Sequence, residues 1–432
     1  MSTLLPQRDS LRANVLFGYG LQIANYLIPL ITLPYLIRVL GLEAYGQIAY
    51  AYAAMMFAVI FLDAGIDTLA MRKLSTTDDA KSISLHFAAV TWLKVSICLG
   101  LGMALWTATA WIDPTLTTLL WANTLLLLGS VTFPVWLFRG LEKMRYATWS
   151  GIGGRLLCAS AILLLVNQPA DLLIAALLQA AATLCSGLLV MPTIWRHLPV
   201  SLRHPPSALW HEIKAIGYAC RTLSAAEFLE KSTANSVVFV LGLFAPAPVV
   251  GAFAAIEKLA RAGFNLFQPF LRALLPLFSR NWHSNTAKAE KLWRQVNLAL
   301  IATMTMAFAL WLLAGEALLH LIFGTELHAA ATLVPLFMLW ALFALLNVAL
   351  GLLGLIAAGH TQTSATTLLI TTCIQAMGIF CGALATSQTL AAGGVAVGVA
   401  AGLAVTEAIR TAYLAQAWYR CHWHTAIDEA AS

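Results

Sequence analysis

Apolar stretches of about twenty residues or more follow one another along this chain, separated by short polar breaks. A helix needs that length to cross the roughly 30 Å hydrocarbon core of a bilayer. Lipid offers no hydrogen bonds to the backbone, so consecutive stretches of this kind fold as helices. The pattern predicts helices at 14–36, 45–68, 85–107, 116–138, 148–166, 171–192, 216–243, 249–278, 297–315, 331–357, 365–387 and 393–418. Turn signals mark several breaks, among them Asp113-Pro114, Asn167-Gln168-Pro169 and Pro246-Ala247-Pro248. Hydrophobic residues make up 60% of the 432 and charged residues 10%. Soluble domains run at about 45–50% and about 25%. The expected class is therefore an all-α, multi-pass membrane protein.

The segment MSTLLPQRDSLRAN precedes the first run without a cleavage pattern, and is expected to lead into a retained first helix. Seven cysteines carry no metal-type spacing, and the ten histidines fall mostly in polar loops. No metal site and no cofactor is expected.

The sequence VLGL occurs at Val39–Leu42 and again at Val240–Leu243. Each copy falls at the junction of the first two predicted helices of one half. The longest polar linker, 195–214, lies between them. The arrangement predicts a parallel repeat of two six-helix bundles, 1–194 and 215–418, with a tail at 419–432. Lys and Arg set the orientation. With the N-terminus inside, sixteen of them, from Arg8 and Arg12 to Arg420, fall in inside segments, against Arg38 alone outside. Both termini are expected in the cytoplasm. The net charge of +6 is thus a topology signal, and no nucleic-acid partner is implied.

Eight basic residues remain within predicted spans: Lys94, Arg155, Arg221, Lys231, Lys258, Arg261, Arg272 and Arg410. Each costs about 2.5–3.5 kcal/mol at a helix centre on insertion scales. Arg272 and Arg410 sit near span ends and can snorkel. Lys94 and Arg155 stand isolated in the sequence. On the predicted helix 249–278, Lys258, Arg261, Asn265, Gln268 and Arg272 share one face. On 216–243, Arg221, Lys231 and Asn235 do the same, with Glu227 four residues before Lys231. The first helix has a stripe of Asn14, Gly18, Gln22 and Asn25. Such faces must meet water, protein or a polar ligand. The cationic excess suits an anionic ligand. Glu227–Lys231 and Glu257–Arg261 can also be plain i,i+4 pairs. Asp63 and Asp67 have a bland reading as partners of Arg72 or Lys73, and Asp63 a functional one as a proton, cation or gating site.

Three stretches carry a family resemblance: PLITLPYLIRVLGLEAYGQIAYAYA (29–53), FLDAGIDTLAMRKLS (61–75) and FPVWLFRGLEKMRYATWS (133–150). They resemble the Wzx-type O-antigen repeat-unit flippases of the multidrug/oligosaccharidyl-lipid/polysaccharide exporter superfamily. The resemblance implies two six-helix bundles forming a V around a central cavity. It implies flipping of undecaprenyl-diphosphate-linked oligosaccharide from the cytoplasmic to the periplasmic leaflet of the bacterial inner membrane. It brings in Arg38 as a substrate contact, and Asp63, Arg72, Arg139 and Glu142 as gating or coupling residues. The stripes add Arg221, Lys231, Lys258, Arg261, Asn265, Gln22 and Asn25 as substrate-binding residues. Glu227 and Glu257 join the coupling candidates, with proton or sodium coupling open. Expected partners are the lipid-linked oligosaccharide, membrane lipid, and a polysaccharide polymerase with assembly proteins, around a functional monomer.

Two rivals keep the same fold: a lipid II-type flippase and a multidrug or cation exporter. An exporter of cations would want an acidic or apolar cavity. A glycosyltransferase, polymerase or ligase needs catalytic groups in a large outer loop. The outer loops are short and no acidic pair offers chemistry, so the chain is not expected to be an enzyme.

Overall fold

The computed structural model describes residues 10–431 apart from 78, 199, 328–329 and 388–391, and leaves out the side chains of 11, 197, 221–227, 230, 234, 361, 387, 392 and 421–431. Thirteen α-helices follow in chain order: α1 Leu11–Asp63, α2 Ile66–Ser75, α3 Ala80–Ala108, α4 Pro114–Thr132, α5 Val135–Gly140, α6 Met144–Leu165, α7 Leu172–His197, α8 Pro206–Phe244, α9 Ala247–Ser284, α10 Thr286–Phe323, α11 Leu333–Val348, α12 Thr361–Ser387 and α13 Ala392–Ala431. No strand occurs among the described residues.

α1 begins where the Ser10 side chain accepts the Ala13 N–H. Its 53 residues would make a rod of about 80 Å, more than two bilayer crossings. One residue, Gly41, leaves helical geometry at φ 80°, ψ 167°. That left-handed conformation is open to glycine at no steric cost. The helices predicted at 14–36 and 45–68 are thus two legs joined by a single glycine within the first VLGL. The second VLGL closes α8, just before the Ala245–Pro246 break. The second leg also ends sooner than predicted. Ala64 (φ 35°) and Gly65 (φ 81°) break the helix, and α2 starts anew. The first leg runs beside α6, from Asn14 Oδ1 accepting the Met144 N–H to Tyr35 donating to the Val166 carbonyl at 2.6 Å.

Nine helical segments among the described residues are long and apolar enough to cross a membrane. α8 and α9, at 39 and 38 residues, have the length, and both carry charge. With the two legs of α1 counted separately and α8 and α9 added, the nine become the expected twelve.

The chain divides into two compact units, Met1–Ser236 and Val237–Ser432, with the boundary inside α8. In the first unit, α6 and α7 pack at backbone distance. A Cβ on Gly154 would fall 2.4 Å from the Ser186 backbone nitrogen. Small residues allow such closeness between membrane helices, where dispersion contacts replace the missing hydrophobic drive. Phe87, Trp136 and Phe138 fill the core beside α2, α3 and α5. The segment predicted as a polar linker, 195–214, is helical through His197 and again from Pro206. Between these ends it is tied to α3: Ser84 Oγ accepts the Ser201 N–H and bonds His204 Nε2, both at 2.9 Å.

The second unit centres on three tryptophans. Trp293 stacks on Trp418 with ring centroids 5.4 Å apart, and Trp282 meets Trp418 edge-on at 4.8 Å. Trp282 donates to the Leu353 carbonyl within a π-helical stretch, Ala349–Ile356. α12 and α13 touch through Gly382 and Gly398, where a Cβ would sit 2.5 Å from a backbone oxygen. Glu407 is buried and satisfied by Asn347 and Gln375.

Candidate functional site

A cavity of about 410 Å³ lies inside the first unit. Leu21 and Asn25 come from the first leg of α1, and Tyr52, Met56, Val59 and Asp63 from the second. The turn at Gly41 therefore folds the two legs back on the same space. α2 adds Asp67, Thr68 and Met71; α4 adds Leu126 and Ser130; α5 adds Val135, Trp136 and Arg139. Arg155 of α6, Thr183 of α7 and Lys231 of α8 add to the charged and polar lining.

Across the Ala64–Gly65 break, Asp63 and Asp67 lie side by side. Asp63 Oδ1 accepts the Asp67 N–H at 3.2 Å and so caps α2. Two lysines from distant helices meet the carboxylates. Lys94 Nζ of α3 is 2.5 Å from Asp67 Oδ1 and 3.9 Å from Asp63 Oδ1. Lys231 Nζ of α8 is 2.6 Å from Asp63 Oδ2. Lys94 is buried behind the cavity wall, whereas Lys231 keeps 42% of its side chain accessible. Two lysines thus balance two aspartates. Arg139 and Arg155 also line the cavity, and neither has an acidic partner within 4.0 Å among the described residues. Among the described residues, the cavity lining carries a net positive charge.

Of the residues expected from sequence, the cavity brings together Asn25, Asp63, Arg139 and Lys231. Gln22 is half-buried on α1, one turn from Asn25. Arg38 is exposed three residues before Gly41. Arg72 is exposed at the end of α2. Glu142 occupies the turn between α5 and α6 with φ 55°, a left-handed position that strains a residue with a Cβ. The side chains of Arg221 and Glu227 lie outside the described residues. Asp63 and Asp67 pair with Lys94 and Lys231 instead of Arg72 or Lys73; Lys73 bonds Glu212. Lys94 and Arg155, isolated in the sequence, belong to this site. The signal was present, since each was a cation inside an apolar span.

The second unit has its own polar face on α9. Arg261 pairs with Glu257 one turn earlier at 2.7 Å and lies 5.4 Å from the Trp340 ring centroid. Asn265 donates to the Arg261 carbonyl at 2.7 Å, and Arg272 donates to Gln268 at 3.1 Å. Lys258 is half-buried on the same helix. Much of the stripe is therefore satisfied along its own helix.

An all-helical multi-pass chain with a charged cavity within a helix unit has the architecture of a membrane transporter fold. Solved structures share that fold. A lipid II flippase, MurJ, in an inward closed conformation aligns with a TM-score of 0.69 at 12% identity, covering 93% of this chain and 86% of that one. An inward-facing multidrug resistance MATE family transporter of the MOP superfamily aligns with a TM-score of 0.65 at 14% identity, covering 93% and 97%. The chain belongs to the polysaccharide biosynthesis protein family, whose pattern it matches over residues 11–282. It is 28% identical over 319 residues to a protein of Escherichia coli (strain K12) named "Putative O-antigen transporter", spanning 72% of this chain and 74% of that one.

Proposed function

We propose that this protein is a flippase that moves diphosphate-linked oligosaccharide lipids from the cytoplasmic to the outer leaflet of the bacterial inner membrane. One observation carries the reading: a membrane-embedded cavity whose carboxylates are already matched by lysines and which retains two further arginines. An anion leaving water for hydrocarbon meets a barrier of tens of kcal/mol by Born solvation. A polar groove of positive sign lowers that barrier and concentrates anions. The lipid tail stays in the bilayer beside the protein. Asn25, Tyr52, Ser130 and Thr183 offer hydrogen bonds to sugar hydroxyls. The family and the name of the Escherichia coli relative support O-antigen or a similar surface polysaccharide as the cargo.

A cation exporter fits less well, because Lys94 and Lys231 already occupy the acidic groups that would hold its substrate. Lys258 and Arg261 of α9 are proposed as further anion contacts within the second unit. Asp63 and Glu257 are the coupling carboxylates for a proton or sodium gradient. The protein acts as a monomer with both termini in the cytoplasm and hands its cargo to a polymerase.

The test is made in cells. Deleting the gene should trap lipid-linked oligosaccharide on the cytoplasmic leaflet and remove the surface polysaccharide. Wild type should restore both, and Lys231→Ala should insert normally yet fail. Restoration by Lys231→Ala, or no trapping on deletion, would overturn the reading.

A further inference from the structure

We propose that Arg155 is a mid-membrane binding residue for the diphosphate of the transported lipid; the proposal rests on the flippase reading above. Arg155 is the twelfth of the 22 residues of α6, which places it about 17 Å along the axis from Met144. That is the middle of a spanning helix, where an unmatched cation is most costly. A structural role would supply it with an acid. None lies within 4.0 Å among the described residues, and Arg155 makes one hydrogen bond, from Nη1 to the Gly151 carbonyl of its own helix at 2.9 Å. A guanidinium has five N–H donors, and the other four are left for a ligand.

The surroundings are prepared for one. Gly151, one turn before, makes room for the arginine to lie back along α6. A Cβ there would sit 3.3 Å from Arg155 Nη1 and 2.4 Å from Leu21 Cδ1. Tyr52 lies near enough to interact electrostatically with the arginine. Asn25 shares the cavity and has a buried Oδ1 with no donor. Ser130 and Thr183 add hydroxyls to a lining shared with the apolar Leu21, Leu126 and Phe133, and Asp63 and Asp67 are its carboxylates among the described residues. Asp63 stands eleven residues beyond Tyr52 on the same leg, about 17 Å away along the helix, and is held by Lys231. The cavity therefore has two levels. At one level Asp63 and Asp67 are matched by Lys231 and Lys94. At the other, Arg155 shares the lining with the neutral hydrogen-bonding groups of Asn25, Tyr52, Ser130 and Thr183. A diphosphate accepts a bidentate guanidinium fork, and the groups around Arg155 match the hydroxyls of the sugar next to it.

The experiment measures equilibrium binding to the full-length protein in lipid nanodiscs. The probes are geranylgeranyl diphosphate, inorganic pyrophosphate and geranylgeraniol. Wild type should prefer the prenyl diphosphate to the alcohol. Arg155→Gln should weaken diphosphate binding at least tenfold, about 1.4 kcal/mol, and leave the alcohol unchanged. Arg155→Lys should recover part of the loss. If wild type binds the prenyl diphosphate and Arg155→Gln binds it equally well, the Arg155 assignment falls and the flippase reading stands. If wild type shows no preference for the diphosphate over the alcohol, both fall. If pyrophosphate binds as tightly as the prenyl diphosphate, with the same dependence on Arg155, the ligand is a free anion and the lipid assignment falls. A second measurement keeps the native arginine. In Ser130→Cys, the prenyl diphosphate should slow modification of Cys at this cavity position by an anionic thiol reagent at least tenfold; unaltered modification would contradict the proposal even if the Arg155 variants misfold.

Discussion

Lys94→Met tests the charge arrangement most sharply. The lysine is buried, and its ammonium serves Asp67 at 2.5 Å and Asp63 at 3.9 Å. Asp63 has a second partner in Lys231, so the substitution chiefly strands Asp67. Removing one member of a buried pair costs about 3–5 kcal/mol, because the other charge is left uncompensated. Asp67 keeps 38% of its side chain open to the cavity. Water there screens the stranded carboxylate, so the expected loss is lower, about 2–3 kcal/mol. For a unit of this size that corresponds to a fall in Tm of about 4–12 °C. Adding Asp67→Asn removes the stranded charge and should restore at least half of the loss, a coupling read by a double-mutant cycle. The assay is thermal unfolding in detergent, followed by the loss of the monodisperse peak. A single variant as stable as wild type, or a double variant no better than the single, would refute the pairing.

Three further outcomes are expected. Gly154→Ala and Gly382→Ala each place a methyl group against a neighbouring backbone. Each should destabilise by about 1–3 kcal/mol, seen as a lower midpoint in the same thermal assay; no change would deny the close helix crossings. Burial pushes the Glu212 carboxyl up, but bonds from Lys73 and His86 hold it below the ordinary glutamate range. Its folded state is depressed, so its stabilisation is present above that range and is lost as pH falls through and below it. The first turns of α8 should then exchange amide hydrogens faster, after correction for intrinsic rates, and Glu212→Gln should remove the pH dependence. Lys258→Ala combined with Arg261→Ala should insert normally and abolish transport; unimpaired transport would remove α9 from the anion path.

Much of the architecture is legible because membrane burial imposes a local rule. Each apolar run must become a helix, so the spans follow from residues close in sequence. The breaks at Pro114 and Pro246 are local for the same reason. The misreadings were also local but finer. One left-handed glycine at position 41 replaces a predicted loop, and Ala64–Gly65 ends the second leg before residue 68. The site was legible only in part. Asp63 and Lys231 were singled out, yet their pairing joins residues 168 apart in sequence. Lys94 of α3 reaches Asp67 of α2 across 27 residues. Helical periodicity reports faces of one helix and carries no information on which face meets which. Lys94 and Arg155 therefore looked isolated until the fold placed them around one cavity. The Glu257–Arg261 pair, one turn apart, needed no such information and was anticipated.

The central claim is movement of a diphosphate-linked oligosaccharide across a bilayer. The direct measurement is translocation in proteoliposomes. Undecaprenyl-diphosphate oligosaccharide is loaded, and its exposure to an impermeant sugar-cleaving enzyme is followed with and without proton or sodium gradients. Protein-dependent exposure that is lost in Arg155→Gln and Lys231→Ala is the expected result. No protein-dependent exposure by wild type under any gradient would contradict the account.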